Sequence, residues 1–91
     1  MAVRDSRIRD VKLRDEATRA AKGACLNIAE GAARSTRADQ ARAYVIARGE
    51  VSEAAAAVEI AALLDAASEE DARKVTELAS RVAAMLTRLI R

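Results

Sequence analysis

Apolar residues recur at three- and four-residue steps in three separate runs along the chain. Ile8, Val11, Ala17, Ala21, Ala24 and Ile28 form the first. Tyr44, Ala47, Val51, Ala54, Val58 and Ala61 form the second, which Ala57, Ile60 and Leu64 widen toward its end. Val75, Leu78, Val82, Met85, Leu86, Leu89 and Ile90 form the third. That period lays each run on one stripe of an α-helix. The spacing predicts helices over about 6–32, 37–66 and 69–90. Gly31 stands where the first helix would need a left-handed residue to stop. Thr36 reads as the N-cap of the second, with Asp39 three residues on in the place of a capping-box acid. Ser68 reads as the N-cap of the third, ahead of Glu69, Glu70 and Asp71, which suit the positive end of the helix dipole. Arg88 and Arg91 suit its negative end. Short links between helices predict an all-α, antiparallel up-down bundle of three helices forming one domain over residues 1–91.

Composition turns this picture toward self-association. The chain has 91 residues, no Pro and three Gly, and 24 of its residues are Ala. Val, Ile and Leu together number only 19, and Tyr44 is the sole aromatic. Ala favours helix because it loses no side-chain entropy there, but its methyl buries little area at about 25 cal/mol per Å². A chain this small, with no disulfide, gains little from its own core. Burying helix faces against identical copies supplies the missing packing, so a homo-oligomer is expected. The broad apolar face of the second helix requires more than one neighbour.

Several chemistries have no residues to carry them. There is no His and one Cys, so metal sites of the usual kind are not expected, and no cofactor is implied. Cys25, between Ala24 and Leu26, is expected to pack as a small apolar residue. Glu50 and Glu53 stand three apart, but no His, Cys or Ser is placed as their partner and no Gly-rich phosphate loop occurs, so no enzyme is expected. The opening residues are charged and lack an apolar run, and no stretch of about 18 apolar residues exists, so neither a signal peptide nor a membrane span is expected. The expected compartment is the cytoplasm.

Charge is unevenly spread. The net charge is +2 and the pI about 9.1, but residues 50–71 hold seven carboxylates and no base, whereas residues 72–91 hold five bases against Glu77. Such blocks can match between helices or between subunits and set orientation more than stability. The basic remainder makes RNA or DNA a candidate partner through Arg34, Arg37 and Arg42, joined by Arg4, Arg7 and Arg9. With so few aromatics to stack on bases, such binding would rest on phosphates and fall steeply with salt. The competing reading is a structural or adaptor oligomer with no affinity for nucleic acid. Glu30 and Arg34, four apart in the favourable order, predict an ion pair, with Asn27 and Glu30 at a helix junction. Gly49 costs about 1 kcal/mol in a helix interior, which predicts close approach of another helix there, with Arg48 paired to Glu30 or Glu53.

Three stretches in register carry a resemblance: Asn27-Ile28-Ala29-Glu30-Gly31, then Ile46-Ala47-Arg48-Gly49-Glu50 with Glu53, then Met85-Leu86-Thr87-Arg88-Leu89-Ile90. From Leu13 to Ile90 the chain resembles the bacterial four-helix-bundle proteins encoded in intervening sequences of large-subunit ribosomal RNA genes. That group is related to the accessory variability proteins of diversity-generating retroelements. The resemblance implies an up-down bundle that assembles as a ring-like homopentamer, no catalysis, and nucleic-acid binding inferred from genomic setting; a pentamer is thus expected first and a dimer second. Twelve residues precede the resembling stretch here, so it also implies that the family's first helix is missing. The gap would be a groove, filled by residues 1–12 or by a neighbouring chain. Cys25 stands where the family often has Pro, which implies a straighter helix, and large aromatic core positions have become Ala, Val or Ile.

Overall fold

A computed structural model describes residues 10–91, and the expected contacts Arg4, Arg7 and Arg9, like Ile8, lie outside the described residues. Three helices follow one another: α1 (Val11–Ala33), α2 (Arg37–Leu63) and α3 (Glu69–Ile90). No strand occurs among the described residues. The protein is all-α.

Local chemistry sets the ends. Asp10 is extended and its carboxylate accepts from the Leu13 N–H at 3.0 Å, so α1 starts at Val11 and not near Ser6. Thr36 and Ser68 cap α2 and α3, accepting from the Asp39 and Asp71 N–H groups at 3.2 and 3.0 Å. Two expected ends shift. Gly31 does not stop α1, which runs on to Ala33; Arg34 is extended and its N–H returns to the Gly31 carbonyl. α2 ends at Leu63, three residues before Ala66, where Asp65 takes a left-handed φ of 57°. Asp tolerates that region better than most side chains, so it serves where Gly usually would.

The centre of the fold is α2. Both α1 and α3 pack on it and scarcely touch each other. Every member of the expected α2 stripe, Tyr44, Ala47, Val51, Ala54, Val58 and Ala61, is buried. One core cluster joins Ala17 and Ala21 of α1 to Ala57, Val58 and Ala61 and to Ala72 and Val75 of α3. A second joins Ala24, Tyr44, Ala47, Val51 and Leu86. Across the helices, Gly31 meets the ring of Tyr44, Asn27 bonds to Glu50, and Arg19 pairs with Glu53. Between α2 and α3, Arg48 bonds to Thr87 and Thr76 to Glu59.

The core is thin. Leu86 and Val58 are the largest fully buried side chains among the described residues. The expected seam of α3 is split. Val75 and Leu86 are buried, but Leu78, Met85 and Leu89 are about half exposed. The stripe is wider than the arc that α2 alone can cover, so its far half is left in solvent.

Candidate functional site

Where α1 and α3 lie side by side on α2 with little direct contact, an apolar groove of about 170 Å³ opens between them. Its floor is Val51 and Ala54 of α2. Its walls are Ala21, Cys25 and Ile28 on one side and Val75, Leu78 and Val82 on the other. Cys25 is exposed on this wall, contrary to the packed position expected of it.

On the α3 wall the apolar residues fall in a strict heptad: Val75, Leu78, Val82, Met85 and Leu89 occupy alternating positions three and four apart. That is the pattern of a helix seam made for a partner helix. Lys74, Arg81 and Arg88, seven residues apart, flank the seam on its open side, and all three are exposed. Lys74 pairs with Glu70 at 3.8 Å. Arg81 and Arg88 make no ion pair among the described residues. Opposite them, one helical turn before Cys25, Lys22 is exposed on the α1 rim. Sequence reading placed the whole seam in the chain's own core and so missed this edge; the seven-residue spacing of the three bases was the signal that could have found it.

A second surface lies on the far side of α2. Ile46, Ile60, Leu63 and Leu64 are all exposed, Leu63 at 84%. Gly49 lies on the same face, and a Cβ added to it would meet nothing within 4 Å. The expected close approach at Gly49 is thus absent within the chain. Close approaches occur instead at Gly31, where a Cβ would stand 2.6 Å from the Tyr44 ring, and at Gly23, which makes room for the Glu50 carboxylate. Arg48 does not pair with Glu30 or Glu53: it turns toward α3, where its Nη1 donates to Thr87 Oγ1 at 3.1 Å.

The polar junction of α1 and α2 is built from the expected motif residues. Asn27 Nδ2 donates to the Gly23 carbonyl at 3.0 Å and to Glu50 Oε1 at 2.6 Å, which ties the two helices together. Glu30 pairs with Arg34. Arg34 and Arg42 line one hollow with Asn27, Glu30 and Asp39, so two carboxylates share the space with two guanidinium groups. Arg37 points elsewhere, to the Arg91 carbonyl. The three candidate phosphate contacts are all exposed but do not converge on one point. Arg19 is held protonated beyond its ordinary range by its hydrogen bonds to Glu16 and Glu53. No group of His, Cys, Asp and Glu suited to a metal ion occurs among the described residues. None of the described helices is long and apolar enough to cross a membrane.

These features define an all-helical protein whose most developed surfaces are unpartnered helix faces. The chain belongs to the family of 23S rRNA-intervening sequence proteins, whose model matches residues 5–88. No curated protein and no solved structure matches it significantly.

Proposed function

We propose that this chain is a non-enzymatic helical bundle that works as a homo-oligomer, a pentamer first and a dimer second. The observation that carries the reading is the apolar surface left on two opposed sides of α2: Leu78, Met85 and Leu89 along the groove, and Ile46, Ile60 and Leu63 behind it. Large apolar side chains left exposed along helix faces in this number favour an interaction site. The bundle within each subunit runs up and down. Support for this comes from the cross-helix contacts, in which partner numbers fall as residue numbers rise: Gly31 meets Tyr44 and Gly23 meets Glu50, while Arg48 meets Thr87 and Glu59 meets Thr76. Light scattering on the purified chain tests the assembly, since a homo-oligomer gives a multiple of 9.7 kDa.

RNA or DNA is the second reading. It is supported by the exposure of Arg34, Arg37 and Arg42 near the α1–α2 junction and by the basic pI. Phosphate would have to displace Glu30 from Arg34 and the Arg91 carbonyl from Arg37. Binding on this reading is therefore weak per chain and gains strength from repetition around an oligomer. A scaffold that presents its surface to another protein, without nucleic-acid binding, is the remaining alternative; a mobility shift on RNA at two salt concentrations separates them.

A further inference from the structure

We propose that the outer flank between α2 and α3 is a docking surface for a basic amphipathic helix of another protein. This contact is independent of self-assembly.

An open hollow of about 540 Å³ lies on that flank, beside the α2–α3 turn, and no residue of α1 lines it. Ala62 and Leu63 give it an apolar wall, and Leu63 is 84% exposed. Glu59, Asp65, Glu69 and Glu77 line the same hollow against a single base, Arg73. Glu59, Glu69 and Glu77 are exposed, and none of them makes an ion pair among the described residues. Glu59 accepts a hydrogen bond from the neutral Thr76 hydroxyl at 3.3 Å.

This charge decides among occupants. Carboxylates in such excess repel phosphate, so a nucleic acid does not fit. A metal ion does not fit either, because no group of His, Cys, Asp and Glu suited to one occurs among the described residues. The carboxylates are spread along the surface: Glu69 and Glu77 stand about 12 Å apart along α3. Two bases seven residues apart on a partner helix stand about 10.5 Å apart, close enough to meet both. The exposed Leu63 beside them calls for apolar side chains on the same face of that helix.

Shape agrees with charge. The hollow continues as a shallow channel along the flank, and Glu59 and Thr76 line both parts. Small residues floor the channel: Ser52, Ala55 and Ala56 of α2, with Ser80 and Ala83 of α3. Small side chains at a contact let a helix axis come close. From Ser52 to Leu63 the channel runs about 17 Å along α2, the length of a three-turn helix.

The test is fluorescence anisotropy with the full chain and a labelled, alanine-based helical peptide of about 16 residues. The peptide carries two arginines seven residues apart, with leucines three and four residues after the first, on one face. Wild type is expected to bind it saturably. Glu59→Lys combined with Glu77→Lys is expected to weaken binding at least about tenfold, because like charges then face the arginines. Glu69 is left in place because its charge supports the start of α3. Leu63→Ala is expected to weaken binding about threefold or more through lost apolar contact, and the fold does not need so exposed a side chain. Asp15→Lys combined with Glu30→Lys makes the same change of net charge on α1, away from the hollow lining, and is expected to bind as wild type does. Light scattering is expected to give the Glu59, Glu77 variant the wild-type mass.

The proposal is overturned if wild type does not bind the peptide, or if a helical Glu59, Glu77 variant binds it as tightly as wild type. It is equally overturned if the α1 variant loses as much affinity, since the attraction is then general. A helical Glu59, Glu77 variant of lower mass than wild type also overturns it, because a second copy then covers the hollow. Should that variant lose its helical circular dichroism, Leu63→Ala decides alone, and wild-type affinity there counts against the docking surface.

Discussion

Leu86→Asp abolishes the cooperative thermal unfolding of this protein, leaving a broad and shallow loss of helical signal by circular dichroism. Leu86 is 2% exposed and packs with Ala24, Tyr44, Ala47 and Val51, where α3 meets the rest of the fold. Truncating a buried Leu costs about 2–5 kcal/mol through lost transfer energy and the cavity left behind. A carboxylate adds the cost of desolvating a charge among apolar groups, unless it binds a proton and remains neutral. No base belongs to that core cluster. The sum rivals the entire stability of a small domain, about 5 kcal/mol at the low end. Leu78→Asp, on the same helix but half exposed, is expected to lower the melting temperature while leaving a cooperative transition, and this contrast shows which half of the α3 stripe holds the chain itself together.

Tyr44→Ala is expected to cost about 3–5 kcal/mol in urea denaturation, the range for removing a large buried aromatic. Tyr44 is the one aromatic of the chain, and its ring lies against Gly31 of α1. Gly31→Ala probes the same contact from the other side. In a free helix the change gains about 1 kcal/mol. Here the new methyl would stand 2.6 Å from Tyr44 Cε1 and 2.9 Å from Cδ1, inside a buried ring's volume. Overpacking of that kind costs about 1–3 kcal/mol, so the single variant is expected to be less stable than wild type. In the Tyr44→Ala background the space is open and Gly31→Ala turns stabilising by about 1 kcal/mol. That change of sign is a strong coupling between two residues in contact. Additive effects would mean that Gly31 is not where α1 and α2 touch.

The features legible in the sequence are those decided locally. Thr36 and Ser68 cap their helices because a hydroxyl needs only the N–H three residues ahead, and the α2 stripe is buried because α2 lies between two neighbours. What depends on distant placement was not legible. Periodicity gives the width of the α3 face but not how much of it α2 can cover, so Leu78, Met85 and Leu89 were expected inside. Gly31 and Gly49 look alike in sequence, as Gly near or within a helix. One admits the Tyr44 ring and the other faces open space. Arg48 was expected to seek a carboxylate but faces α3, where the hydroxyl of Thr87 is in reach. The family resemblance, read from three motifs, holds over residues 5–88. An apolar groove lies between α1 and α3. Charge alone points to Arg34, Arg37 and Arg42 for phosphate contact, and charge does not reveal that Arg34 already faces Glu30.

The claim that matters most is that this thin, alanine-rich subunit completes its packing with copies of itself. Size-exclusion chromatography coupled to light scattering, at micromolar concentration, tests it most directly. The account predicts a single species at a whole-number multiple of 9.7 kDa, five chains first and two next. A species of one-chain mass that still unfolds in one sharp, concentration-independent transition would contradict it.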